Sequence, residues 1–347
     1  MTIIIAILTF GIMILVHELG HFLTAKWAGV KVNEFAIGMG PTILKFGKGE
    51  TRYALRLFPI GGFVSMEGED EESDDHRSFN RAAWWKRAVI MVAGAFMNIL
   101  LGFVVSVILT CMGDRIASTT IAVFDENALS SQQLQVDDKI VAIDGFKVNV
   151  DMDLLFAMAL NEHGVADVDV IRDGEKLSLA NVQFPTYTDE STGRQSLSLD
   201  FYVYGMEKSF GRVMYQSTFR TGSIVKIVWV SIYQLVSGQF SLNDLSGPIG
   251  VTSEISSTVN NAIQTRDITP YLLLLCAFTI NIGIMNLLPV PALDGGRLLF
   301  LIIEKIRGKR IDPKYEAYVN AAGLVLLLVL MAVVAVNDVG KLIGISG

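Results

Sequence analysis

The sequence predicts a polytopic α-helical membrane protein with a cytoplasmic, membrane-associated β-hairpin and one small extracytoplasmic α+β domain. Hydrophobic residues make up 51% of the 347 residues, and charged residues make up only 18%. Soluble globular proteins average about 25% charged residues, so part of this chain is expected to lie in lipid. The formal net charge of −7 argues against nucleic acid as a partner, because no basic surface can accumulate phosphate contacts.

Four stretches of the chain are apolar enough to span a membrane, which needs about 20 consecutive, mostly apolar residues. The first is interrupted only by His17, Glu18 and His21, and the second has no charged residue. We predict transmembrane helices over residues 1–26, 88–113, 268–296 and 317–337.

The basic residues at the ends of these stretches predict their orientation. Lys and Arg are concentrated between the first and second spans and between the third and fourth spans. Cytoplasmic connections carry such an excess of basic residues. We therefore predict that 27–87 and 297–316 are cytoplasmic, and that both termini and the long segment 114–267 are extracytoplasmic.

The first cytoplasmic connection contains a predicted β-hairpin over residues 43–58. Polar and apolar residues alternate from Thr51 to Phe58, and a glycine-containing turn precedes them. The segment Pro59–Phe63 is expected to break the second strand, because proline and glycine are poor strand residues. An acidic run over 67–75 follows, which we interpret as part of a solvated loop.

The extracytoplasmic segment begins with a predicted small α+β domain over residues 114–200. An alternating strand over 137–143 ends in an Asp-Gly turn, a helix is predicted over 151–161, and another strand over 167–171. About 70 residues of such elements are enough for one small domain.

A linker over residues 201–267 follows this domain and contains an apolar stretch over 221–243. Lys226 interrupts this stretch, and its apolar core is short for a span. We interpret it as an amphipathic helix on the outer membrane surface, where Trp229 and Tyr233 suit the interface. A fifth transmembrane helix is the alternative.

The first predicted span contains the sequence His17-Glu18-Leu19-Gly20-His21, an H-E-x-x-H motif. On a helix, residues four apart share one face, so both imidazoles can bind one metal ion while Glu18 reaches water in front of it. Ionisable side chains are costly within a membrane and usually functional. The alternative is a set of polar residues satisfied inside a helix bundle.

A hydrolytic zinc site usually has three protein ligands, so a third ligand is needed. His76 and His163 fall in predicted soluble segments, and we interpret both as surface residues. Asp294 is the remaining candidate, because it follows two prolines that must break the third span and free backbone groups for a polar cavity. With four spans, Asp294 and the two histidines lie at similar depth near the cytoplasmic side.

These residues resemble the site-2 protease family of intramembrane zinc metalloproteases, and within it the bacterial regulator-of-sigma-E protease branch. The matching motifs are HELGH in the first span, GGFVSMEGE from Gly61, AGAFMN from Ala93 and NLLPVPALDGG from Asn286. The resemblance implies a zinc ion bound by His17, His21 and Asp294. It also implies that Glu18 is the catalytic base and that Asn286 holds the substrate backbone.

The resemblance also implies a biological role, namely regulated intramembrane proteolysis in the bacterial cytoplasmic (inner) membrane. Its substrates would be single-span membrane proteins such as anti-sigma factors or remnant signal peptides, already trimmed by an upstream protease. The domain over 114–200 would be PDZ-like. Two features depart from the family pattern, namely Ala95 in place of a proline, and Gln133 and Asp137 in place of glycines of the PDZ-like domain.

Two other classes of function remain open at this stage. A metal transporter can also place His and carboxylate ligands in a membrane, but it does not need a glutamate beside the first histidine. A catalytically inactive scaffold that binds peptides through its outer domain would tolerate the loss of Glu18 or Asp294, and both residues are present. The sequence therefore favours the metalloprotease.

Overall fold

The computed structural model of the protein describes residues 2–47, 49–69, 71, 73–188, 195–238 and 247–342. Contacts between residues divide the chain into two compact units. The first unit comprises Met1–Val105 and Leu235–Gly347, and the second comprises Ser106–Gln234.

Four helices of the described chain are long and apolar enough to cross a membrane, as the sequence predicts. By length and composition, the candidate spans are Ile4–Ala28, Trp84–Met112, Thr269–Leu287 and Lys314–Gly340. They belong to helices α1 (Thr2–Ala28), α2 (Trp84–Met112), α6 (Thr269–Leu287) and α8 (Pro313–Leu342). Many large apolar side chains on these helices are exposed, among them Leu8, Val104 and Leu326. An apolar surface of this kind is more stable in contact with lipid tails than in contact with water.

The first unit also contains two helices that the sequence reasoning missed. Helix α5 (Pro248–Thr265) begins with a proline and packs against α1, α6 and α8. The backbone N–H groups of Gly247 and Gly250 at its start donate to the buried carboxylate of Asp338. Helix α7 (Asp294–Arg307) occupies much of the segment predicted as a cytoplasmic loop, and Gly308 ends it in the left-handed conformation.

The hairpin is longer than the predicted 43–58, because it pairs β1 (Val32–Phe46) with β2 (Arg52–Met66). The expected break at Pro59–Phe63 is therefore wrong. Residues 34–37 align with 62–65 on one side and with 52–55 on the other. Left-handed glycines allow the strands to bend back on themselves, namely Gly38, Gly40 and Gly61.

The second unit contains a mixed domain, as expected, with a larger sheet ordered β10-β3-β4-β6-β7 and β5 paired to β4. Its core contains buried aliphatic residues such as Ile121, Ile140 and Val168. The sheet extends to Met206, past the boundary predicted at residue 200. The elements are β3 (Ile116–Phe124), β4 (Lys139–Ile143), β5 (Phe146–Lys147), α3 (Asp151–Ala159), β6 (Val165–Arg172), β7 (Glu175–Gln183), β8 (Thr186–Thr188), β9 (Gln195–Leu197) and β10 (Phe201–Met206).

Helix α4 (Phe210–Val236) contains most of the predicted amphipathic segment, of which residues 239–243 lie outside the described chain. One face of the helix is held by the domain, because Gln216 donates to Asp151 at 2.7 Å and Lys226 pairs with Asp153 at 3.0 Å. Trp229 on this helix is 52% exposed, and its position at the membrane interface stays a prediction.

Candidate metal centre

Helix α1 presents two imidazoles on one face, as the spacing of the motif requires. His17 and His21 lie one helical turn apart, with their Nε2 atoms 3.2 Å from each other. The Nδ1 atom of His21 lies 2.8 Å from the carbonyl oxygen of Ile90 in α2. A carbonyl can only accept a hydrogen bond, so Nδ1 carries the proton and the lone pair of Nε2 stays available for a metal.

Asp294 completes this cluster from a distant part of the chain. Its Oδ2 atom lies 3.1 Å from Nε2 of His17 and 3.2 Å from Nε2 of His21. Three tetrahedral ligands at the usual zinc bond lengths of about 2.0–2.1 Å would stand about 3.3 Å apart. The side chains therefore converge with the spacing of zinc ligands.

The chemistry of the three atoms also fits a cation. The lone pair of His21 Nε2 faces a carboxylate oxygen of Asp294, and two acceptors so close together repel unless a cation or a proton lies between them. Gly94 of α2 leaves the space beside the imidazoles open. A Cβ atom at Gly94 would lie 2.3 Å from Nε2 of His21 and 2.8 Å from Nε2 of His17.

A tight turn over residues 288–293 brings Asp294 to the histidines. Helix α6 ends at Leu287, the turn contains Pro289 and Pro291, and Asp294 is the first residue of α7. The turn folds directly against the start of α7, since a Cβ atom at Gly295 would lie 2.2 Å from the carbonyl oxygen of Leu288. Glycine after Asp294 is therefore a steric requirement of this turn.

Glu18 faces the same cavity, which has a volume of about 410 Å³. The hairpin forms one wall of this cavity, and Gly62 lies so close to Glu18 that a Cβ atom there would be 3.0 Å from Glu18 Cγ. Residues of the hairpin, the loop that follows it, α1, α2 and α7 line the cavity together, namely His17, Glu18, His21, Phe63, Val64, Ser65, Met66, Glu69, Met91, Asp294 and Arg297.

Other candidates from the sequence lie elsewhere. Asn286 is half-buried in the last turn of α6 and does not line the cavity as the described residues define it. The side chain of His76 is 85% exposed, and His163 is also exposed. Both are surface residues, as expected.

The sequence did not predict an ion pair at the cavity. Arg297, one turn after Asp294, pairs with Glu69, the last residue of the GGFVSMEGE motif. The pair joins the start of α7 to the loop that follows the hairpin. Glu69 ends the GGFVSMEGE motif and Arg297 directly follows the NLLPVPALDGG motif. No pattern in the sequence indicates that these two residues meet.

Comparison with known proteins identifies this arrangement. The fold and the cluster define a membrane-embedded metalloprotease, and the model of peptidase family M50 matches residues 5–330. A Clostridium acetobutylicum relative, which its name assigns to the zinc metalloproteases, is 35% identical over 348 residues, with 97% of each chain covered. The regulator of sigma-W protease RasP of Bacillus subtilis is 30% identical over 429 residues, with 98% of this chain and 99% of the relative covered.

The chain therefore belongs to peptidase family M50. It is an integral membrane protein and an intramembrane zinc metalloprotease of the site-2 type.

Proposed function

We propose that the chain cleaves transmembrane segments of single-span membrane proteins, with His17, His21 and Asp294 holding the zinc ion. The convergence of three potential ligand atoms within 4.8 Å of one another is the observation that carries this proposal. Zinc bound there supplies Lewis acidity, which polarises a carbonyl and makes water more acidic.

Glu18 has the position of a general base in this proposal. It follows His17 on α1 and lines the cavity with the three candidate ligands. A carboxylate there can take a proton from the attacking water and pass it to the leaving nitrogen of the peptide bond. Asn286, at the end of α6, is proposed to bind the substrate backbone.

The hairpin offers a way to hold an unwound substrate. A helical segment hides its peptide bonds, so it must become extended before attack. In the described chain, residues 62–66 pair with β1 along one edge, and four of these residues line the cavity. We propose that a substrate strand adds to the other edge through main-chain hydrogen bonds. This places strand addition at 62–66, outside the 43–58 hairpin predicted from sequence.

The proposed location is the bacterial cytoplasmic membrane, with both termini outside. The positions of the basic residues support this orientation. One relative is named as a regulator of sigma-W protease. We therefore propose anti-sigma factors as substrates, with remnant signal peptides as the second class, after trimming by an upstream protease.

The ligand set and the base are tested by separating metal binding from chemistry. We expect Glu18→Gln to retain zinc and lose cleavage of a membrane-spanning peptide. Asp294→Ala should lose zinc, because two imidazoles leave the ion underligated. Metal analysis of both purified proteins and cleavage with and without a zinc chelator measure these effects. Full zinc occupancy and activity in Asp294→Ala would remove Asp294 from the site.

A further inference from the structure

The turn over residues 288–293 presents Asp294, and one of its backbone N–H groups has no carbonyl partner nearby in the sequence. Pro289 and Pro291 have no N–H, and the N–H groups of Leu288, Val290 and Leu293 donate to carbonyls two or three residues earlier. The N–H of Ala292 is the exception. Where lipid covers the end of a spanning helix, such a group needs a protein partner, because lipid supplies none.

Asn320 of α8 supplies that partner. The N–H of Ala292 donates to Oδ1 of Asn320 at 3.1 Å. Ala292 has φ 72°, in the left-handed region that alanine disfavours because its Cβ crowds the backbone. The local sequence therefore does not favour this conformation, and a contact from another helix stabilises it.

Gly323 brings α8 against the same turn. A Cβ atom at Gly323 would lie 2.4 Å from Cβ of Pro291 and 2.8 Å from its carbonyl oxygen. Residues three apart on a helix share a face, so Asn320 and Gly323 form one contact surface. Helix α8 thus fixes two consecutive residues of the turn, Pro291 and Ala292.

We propose that Asn320 is a positioning residue for the metal centre, which it holds in shape by fixing Ala292 two residues before Asp294. The inference rests on the proposed role of Asp294 as a zinc ligand. A metal ligand must be held within about 0.5 Å of its productive position by the groups behind it. Asn320 does not line the cavity as described, so it acts through the turn and not on the substrate.

Zinc affinity is the decisive measurement, because it reports the position of Asp294 without relying on proteolysis. In a chelator competition on the purified full chain, Asn320→Ala should raise the zinc dissociation constant about ten-fold or more, as loss of a supporting group usually does. Asn320→Asp keeps an acceptor oxygen, so it should restore most of the affinity. At saturating zinc, Asn320→Ala should lower kcat and leave KM within about two-fold, since the cavity wall is unchanged.

A second variant tests the same contact from the other residue. Gly323→Ala places a methyl group against Pro291 while raising the helix propensity of α8, so it should weaken zinc binding without unfolding the helix. Gly11→Ala in α1 is the matched control, because nothing lies within 4 Å of the added Cβ atom there. If Asn320→Ala is not recovered folded, this pair of variants decides the question.

The outcomes distinguish this inference from the proposed function. Unchanged zinc affinity in folded Asn320→Ala, or in Gly323→Ala where Asn320→Ala does not fold, would overturn the inference, and so would equal losses in Asn320→Ala and Asn320→Asp. Asp294→Ala is measured in the same competition. If Asp294→Ala loses zinc while the α8 variants do not, only the inference fails. If Asp294→Ala binds zinc normally, the proposed ligand set fails.

Discussion

Gly94 sets how closely α2 approaches the two histidines of α1. A Cβ atom added at Gly94 would lie much closer to the imidazole nitrogens than a van der Waals contact allows. We expect Gly94→Ala to displace the imidazoles and to weaken zinc binding and proteolysis about ten-fold or more. Zinc competition and peptide cleavage measure the effect.

The control for Gly94→Ala is again Gly11→Ala. Both substitutions replace glycine by alanine inside a spanning helix, and both raise intrinsic helix propensity by the same amount. Only the first meets other atoms. Equal behaviour of the two variants would show that α2 can move away without disturbing the metal centre.

At the scale of elements, the loop after the hairpin is held by a polar cluster around Glu67. Its carboxylate accepts hydrogen bonds from Ser73 at 2.6 Å, Asn33 at 3.0 Å and Lys31 at 3.2 Å. These bonds, that of Ser73 first, lower the pKa of Glu67. The backbone N–H of Arg77, followed by Lys31, lowers the pKa of Asp75.

The loop should therefore detach in acid and not near neutral pH. Carboxylates with lowered pKa values stabilise the folded loop above their ordinary pKa of about 4, and this stability is lost as the pH falls through the lowered values. Hydrogen exchange over residues 75–79, corrected for intrinsic rates, should be constant near neutral pH and faster below about pH 4.

Lys31→Met should weaken protection of this loop already at pH 7, since Lys31 bonds both carboxylates. Lys45→Met is the control, because Lys45 lies on the exposed part of the hairpin. If the hydrogen-exchange rate of this loop changed neither with pH nor on substitution of Lys31, this account of the stability of the loop would be contradicted.

The far part of the hairpin exposes apolar side chains, whereas Val32 and Ala36 near its base are fully buried. The exposed residues include Ile43, Leu44 and Phe46, between 55% and 62% exposed. A surface of this kind suits the membrane interface better than water. A nitroxide at Leu44→Cys, in a chain without its native cysteines, should be more accessible to oxygen than to a polar nickel complex. The same probe at Glu50→Cys should show the reverse.

At the scale of the whole molecule, cysteine labelling tests the proposed orientation. Single cysteines at Ser73 and Lys309 should be shielded from an impermeant thiol reagent in intact cells, and one at Lys176 should react. Cys111 and Cys276 are first replaced by serine. Labelling of Lys309→Cys from outside would mean that an additional segment crosses the membrane, and the proposed depth of Asp294 would then be wrong.

The domain that contains the larger sheet is expected to restrict the access of substrates by their size. Ile116 and Met206 are aligned in the first and last strands of its larger sheet, so their Cα atoms lie about 4.5–5.5 Å apart and a two-residue linker can replace 117–205. If the domain excludes bulky substrates, this deletion should permit cleavage of an untrimmed substrate with a folded outer portion. If the domain instead recognises a new carboxyl terminus, cleavage of trimmed substrate should be lost.

Local patterns were enough to predict the number of spans and the candidate ligands, although the third spanning helix ends at Leu287 and not at residue 296 as predicted. Apolar length alone indicates the four spanning helices, because the membrane imposes one dominant constraint on each segment. The spacing of His17 and His21 follows from helix geometry. Asp294 was found because a carboxylate after two prolines is expensive in a membrane unless a polar cavity surrounds it.

The tertiary structure decided what depends on contacts between distant segments. The hairpin is long because bends at its glycines align distant parts of its two strands. Strand propensity does not indicate which distant parts will pair. Helix α5 has apolar residues mainly on one face, among them Val251, Ile255 and Val259, and it is stabilised by the helices against which it packs. Asn320 contacts Ala292, 28 positions away in the sequence. Gly94 lies against imidazoles that are at least 73 positions away. Such contacts have no periodicity, because they arise only when the helices pack.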